Sequence, residues 1–254
     1  MKPIWKIFLI ILTVLTLAWA TWLLIAGWNA PRHYWSDMDK KITESPQASR
    51  TWALSPRLVS DMSFLESRVD LMASDSISLV VDLKDTLMWL EMKGISFHPV
   101  KITRVNLPKA LNKLDAPRIR FLFGSPSPVS KNTSTIEREP ITVIQAPKDT
   151  IEAAQNIFTP DTTMNHQTIF SYLLSNGISL VVTGWDENHP VINRVKFNAG
   201  KHIRYLGSLM TSRWHRDTLP YHPVIHLTIP SKEAMVIYRA LPQHPRVVIR
   251  MPDF

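Results

Sequence analysis

The chain has 254 residues, with 29 Lys+Arg against 21 Asp+Glu, a formal net charge of +8, and 45% hydrophobic and 20% charged residues. This composition excludes wholesale disorder and collagen-like structure, and the length allows one medium domain or two small ones. Zero cysteines exclude disulfides, thiolate metal sites and a Cys nucleophile, and neither GxGxxG nor GxxxxGK[ST] occurs to cradle a phosphate.

After a short tail at 1–6, expected to be cytoplasmic, residues 7–28 (IFLIILTVLTLAWATWLLIAGW) carry no charge. As a helix this run is about 33 Å long, against a hydrocarbon core of roughly 30 Å, so it reads as a transmembrane helix in contact with the lipid bilayer. Ala18-Trp19-Ala20 has the small-x-small form of a signal-peptidase site, but five more apolar residues follow it, which favours an uncleaved anchor. Lys2 and Lys6 precede the run, while Arg32, Lys40 and Lys41 follow it. The short N-terminal tail favours an inside N-terminus and a single-pass inner-membrane protein, its C-terminal domain in the periplasm or cell-wall space.

Residues 29–55 mix charge, Ser and Pro and read as a tether, leaving 56–254 as the extracytoplasmic domain. That domain opens with an amphipathic helix over 56–72. Ser55 stands at the N-cap, Pro56 at the first helical position, and Leu58, Met62, Leu65, Val69 and Met72 recur at 4-3-4-3 spacing. The seam suits either a partner helix or the helix's own domain.

Strand-like runs follow at 77–83, 86–91 and 95–105, joined by short turns as an antiparallel meander. Further strands are expected at 118–123, 141–145, 178–184, 202–210, 222–229 and 246–251, and short helices at 149–158, 168–176 (stopped by Gly177) and from Ser231 to the stop at Pro242. Residues 124–140 are rich in Ser, Thr and Pro and read as a surface loop. The count of strands implies a mainly-β (α+β) domain, a sandwich or partly closed barrel with a few short helices.

Chemistry-bearing patterns are sparse. His222 and His226 lie four apart in a strand-like run, about 13 Å along it, too far to share a metal, so no metal or other cofactor is expected. GxSxG, SxxK and HExxH are absent. Two basic blocks stand out: Lys101, Arg104, Lys109, Lys113, Arg118 and Arg120, then Arg194, Lys196, Lys201, Arg204, Arg213 and Arg216. Together they could form one face for anionic headgroups or wall polymers. No zinc-finger, helix-turn-helix or RNP pattern points to nucleic acid.

The meander ISLVVDLKDTLMWLEMKGISFHPVKIT and the ending VIHLTIPSKEAMVIYRALPQHPRVVIRM resemble the start and end of L,D-transpeptidase catalytic domains, and ISLVVTGW sits where that family carries its His-Gly strand. The resemblance covers about 76–251 in outline. It places the family's nucleophilic cysteine at Val224, the arginine that follows it at His226, and its His-Gly pair at Thr183 and Gly184. Val224 cannot form a thioester, so the resemblance implies a degenerate transpeptidase fold with an inert site. The function expected is a non-catalytic, membrane-anchored structural or interaction subunit of a bacterial cell-envelope assembly. Its partners would be other envelope or inner-membrane proteins. The alternatives are a module binding peptidoglycan or another anionic polymer, and an envelope enzyme using Ser/His chemistry.

Overall fold

The computed structural model describes residues 3–45, 51, 53–137, 168–185 and 221–253. Its first element, α1 (Pro3–Glu44), is a helix of 42 residues that continues through Pro31. Ala30, Met38 and Ile42 recur on one side of its second half and are buried, so the part of the expected tether up to Glu44 is helix docked on the domain. Among the described residues no helix is long and apolar enough to cross a membrane. That finding overturns the expected single-pass anchor over 7–28 and the inner-membrane, periplasm-facing location built on it. The helix does not end with the apolar run but carries on through His33, Asp37, Asp39, Lys40 and Lys41.

The second helix, α2 (Pro56–Met72), starts at Ser55 with proline in its first turn. The meander follows as β1 (Ser78–Asp82), β2 (Leu87–Met92) and β3 (Ile95–Lys101). Lys93 and Gly94 both have positive φ, which is the conformation a two-residue hairpin turn of matching twist requires. The short strand β4 (Arg104–Asn106) comes next, then helix α3 (Ala116–Phe123) after a single 3-10 turn. The remaining elements are β5 (Ser127–Ser134), β6 (Ile169–Leu174), β7 (Ser179–Trp185), β8 (Val224–Pro230), α4 (Ser231–Ala240) and β9 (Arg246–Arg250).

All nine strands of the described residues join one sheet in the order β3-β2-β1-β9-β5-β6-β7-β8-β4. The pairs β1–β9 and β7–β8 are parallel and the other pairs antiparallel. The described residues are therefore α+β with one large sheet, which corrects the expected mainly-β sandwich or partly closed barrel behind a membrane helix. β3 and β4 are the outer strands, yet only Ile102 and Thr103 separate them in sequence. The Ile102 N–H donates to Thr86 O at 2.8 Å and the Thr103 N–H to Thr228 O at 2.8 Å, so this link ties the two margins together. No ladder among the described residues joins β3 to β4, and the sheet stays open.

Four local expectations are corrected. The run expected as one strand over 95–105 breaks at Ile102 and Thr103 into β3 and β4, which pair with β2 and β8 at opposite ends of the sheet. Residues 118–123 form helix rather than strand, because Asp115 caps α3 by accepting the Arg118 N–H and Pro117 stands in its first turn. The segment 168–176 is strand β6, and Gly177, at φ +85°, makes the β6–β7 turn rather than stopping a helix. Part of the expected loop 124–140 is β5, whose first residues pair with β9 and the rest with β6. The strands expected at 141–145 and 202–210 and the helix at 149–158 lie outside the described residues.

Alternation along the strands sends Leu79, Val81, Phe170, Tyr172, Leu180, Val182, Ile225 and Leu227 into the main core with Ile119, Leu122, Ile237 and Tyr238 from the helices. On the opposite face Val80, Val248, Phe64 and Leu71 make a smaller cluster with Trp89 beneath α2.

Candidate functional site

Helix α2 is set on the sheet with its apolar seam outward. Leu58, Met62, Leu65, Val69 and Met72 are between 43% and 62% exposed. The inward face is Val59, Ser60, Ser63, Phe64, Ser67 and Leu71. Small serines let the helix backbone come close, and two of them bond across. Ser67 Oγ donates to Phe123 O at 2.8 Å and Ser60 Oγ to Met251 O at 3.4 Å.

Ion pairs along both rims of the helix fix this orientation. Arg68 Nε meets Glu91 Oε2 at 2.9 Å, Asp61 meets the Arg250 guanidinium at 2.7 Å, Arg57 meets Asp253 at 3.1 Å, and Glu66 pairs with Arg120. The Arg68 and Arg250 guanidinium groups also lie 5.7 and 5.4 Å from the centre of the Phe64 ring. Rotating α2 to bury its seam would break all of these contacts. Among the described residues, then, the seam is not buried against its own domain, which favours the partner-helix reading of the spacing. Leu54, Met92 and Ile95 are also exposed, and Gly94 of the β2–β3 turn lies against the Met72 side chain.

The positions matched to the transpeptidase site are less well assembled. β7 and β8 are adjacent, hydrogen-bonded parallel strands, so no groove runs between them. Thr183 is in register with Thr228 and Val224 with Ser179, which puts Thr183 and Val224 about 13 Å apart along the strands. His226 stands opposite Val181 on one side and Asn106 on the other. Gly184 points to the core face, where a Cβ would come within 2.9 Å of the Ser231 Cα and 3.0 Å of Thr168 O. It serves the close approach of α4 to β7 and offers no chemistry.

The first basic block is partly spent on structure: Arg118 pairs with Asp39 and Asp115, and Arg120 with Glu66, while Lys101 and Arg104 remain exposed. Arg194, Lys196, Lys201, Arg204, Arg213 and Arg216 lie outside the described residues. Among the described residues no group of three or more His, Asp or Glu could hold a metal ion.

Two features escape the sequence reading. At a bulge in β3, His98 has φ +54°, and its Nε2 lies 2.6 Å from the Glu233 carboxylate of α4. In addition, a cleft of about 360 Å³ between α1 and the β6–β7 turn is lined by His33, Tyr34, Phe121, Tyr221 and His222 among others. There the Tyr34 hydroxyl donates to Asn176 O at 3.2 Å, and burial, with the nearby Tyr221 adding to it, pushes the phenol up to about 12. Tyr34 is a neutral donor at physiological pH and no base. Because its folded value is raised, its contribution is complete below about pH 10, the unfolded value, and is lost as pH rises through 12. Tyr34→Phe is expected to flatten the fall in stability between those two values, measured by denaturation along an alkaline series. An unchanged profile would contradict the assignment.

Comparison with known proteins finds no matching family model, no matching curated protein and no matching solved structure.

Proposed function

We propose that the chain is a non-catalytic interaction subunit and that the outward ridge of α2 is its docking face. The observation that carries this is the inversion of α2: five large apolar residues face water while serines of the same helix face the sheet. An exposed apolar row of that length marks a binding surface far more often than a free one. The non-catalytic part is supported by the chemistry at the transpeptidase-like positions, where a chain without cysteine offers Val224, and where Thr183 and Val224 are not juxtaposed. The same resemblance points to a bacterial cell-envelope assembly as the setting.

The test is Leu65→Asp in the full chain. Leu65 is exposed, so circular dichroism and the melting temperature are expected to match wild type, while the native complex in cell extracts shrinks on a native gel. A complex of unchanged size, with unchanged cell growth, would overturn the proposal.

A further inference from the structure

We infer that the occupant of the α2 ridge is α2 of a second copy of this chain, packed antiparallel; this rests on the docking reading above and names its partner. The first argument is area. At the exposures of the five seam residues with Leu54, Met92 and Ile95, the ridge presents on the order of 700 Å² of mostly apolar surface, close to the roughly 800 Å² per partner of a standard interface. A two-fold axis needs one self-complementary patch on both copies, and a straight 4-3-4-3 seam supplies one.

Charge selects the direction and register. In a parallel pair Asp61 would face Glu66 of the other copy, like charge against like. In an antiparallel pair with the axis between Met62 and Leu65, Leu58 layers against Val69 and Met62 against Leu65, and Asp61 lies beside Arg68 of the other copy, opposite charges. Met72 then covers the exposed Leu54 of the other copy. Sliding one heptad along brings Arg68 against Arg68, which disfavours that register. Within each copy Asp61 is already held by Arg250, Arg68 by Glu91 and Glu66 by Arg120, so the charges across the pair bias direction and register without forming new full ion pairs, while the net charge of +8 repels the copies elsewhere.

The absence of cysteine makes the test clean. The full chain carrying both Leu58→Cys and Val69→Cys is oxidised mildly and run on a non-reducing gel, beside each single variant. In the antiparallel register residues 58 and 69 face each other across the axis. Each stands about 16 Å from its own symmetry mate, beyond the 7 Å that a disulfide tolerates between Cα atoms. The double variant is expected to form at least tenfold more disulfide-linked dimer than either single variant. Dimer formation by Leu58→Cys alone, as a parallel pair requires, overturns the inference, as does a double variant that stays monomeric. If the double variant stays monomeric while Leu65→Asp still shrinks the native complex, a different protein occupies the ridge and the docking reading survives. If Leu65→Asp changes nothing either, that reading fails with it.

Discussion

Replacing Arg68 with methionine is expected to destabilise the chain by about 3 kcal/mol, the low end of what removing one member of a buried pair costs. The Glu91 side chain is wholly buried, and its Oε2 accepts from Arg68 Nε at 2.9 Å, Trp89 Nε1 at 3.1 Å and Ser96 Oγ at 3.3 Å. Arg68 supplies the only cation in that group and also lies 5.5 Å from the centre of the Trp89 ring. Methionine keeps much of the packing against the rings and loses the charge, so the cost isolates the stranded carboxylate. The low end applies because the Arg68 side chain is itself 29% exposed and water reaches it. A double variant, Arg68→Met with Glu91→Leu, removes both charges and is expected to recover most of the loss, since burying an ion pair is itself costly. Urea denaturation of the three variants checks this. A loss below about 1 kcal/mol for Arg68→Met would show that the pair behaves as a surface ion pair.

That pair also explains why the orientation of α2 was hidden in the sequence. Spacing revealed an apolar face at Leu58, Met62, Leu65, Val69 and Met72, but spacing does not say which face meets the sheet. The deciding partners, Glu91, Arg120 and Arg250, lie far along the chain from the helix they hold. Elements fixed by local signals were legible: the meander β1–β3 from strand runs and turn residues, and β8–α4–β9 from an apolar run, a helical stretch and Pro242. Where local signals conflict, capping and tertiary pairing decide the outcome. The alternation in RIRFLF suggested a strand, but Asp115 and Pro117 set a helix start that outweighed it. β5 carries Ser, Thr and Pro128 and looked like loop, yet its place between β9 and β6 gives its backbone partners on both sides. The separation of Thr183 from Val224 is a matter of register between β7 and β8, which no motif encodes.

Arg250→Met is the second substitution with a large expected effect, again about 3 kcal/mol at neutral pH, because it strands a buried carboxylate and unties three elements at once. Arg250 stands in register with Asp82 on the parallel β1–β9 pair, and its Nη1 donates to Asp82 Oδ2 at 2.9 Å. The other Asp82 oxygen accepts the Lys84 and Asp85 N–H groups at 3.0 and 3.1 Å, capping the β1–β2 turn. Nε and Nη2 of Arg250 reach Asp61 of α2 at 2.9 and 2.7 Å. Burial alone would push the Asp61 carboxyl up, but hydrogen bonding and charge from Arg250, with Lys84 adding to both, outweigh it and hold the group below the usual carboxylate range. A depressed folded value contributes stability that is complete above about pH 4, the unfolded value, and is lost as pH falls through the folded one. The gap in stability between wild type and Arg250→Met is therefore expected to be widest near pH 7 and to narrow below pH 4, as Asp61 takes up its proton and wild type loses what the variant no longer has. Denaturation series at pH 7, 5, 4 and 3 measure it. A gap that stays constant down to pH 3 would mean that Arg250 acts through packing over Phe64 alone and that its carboxylate partners contribute nothing.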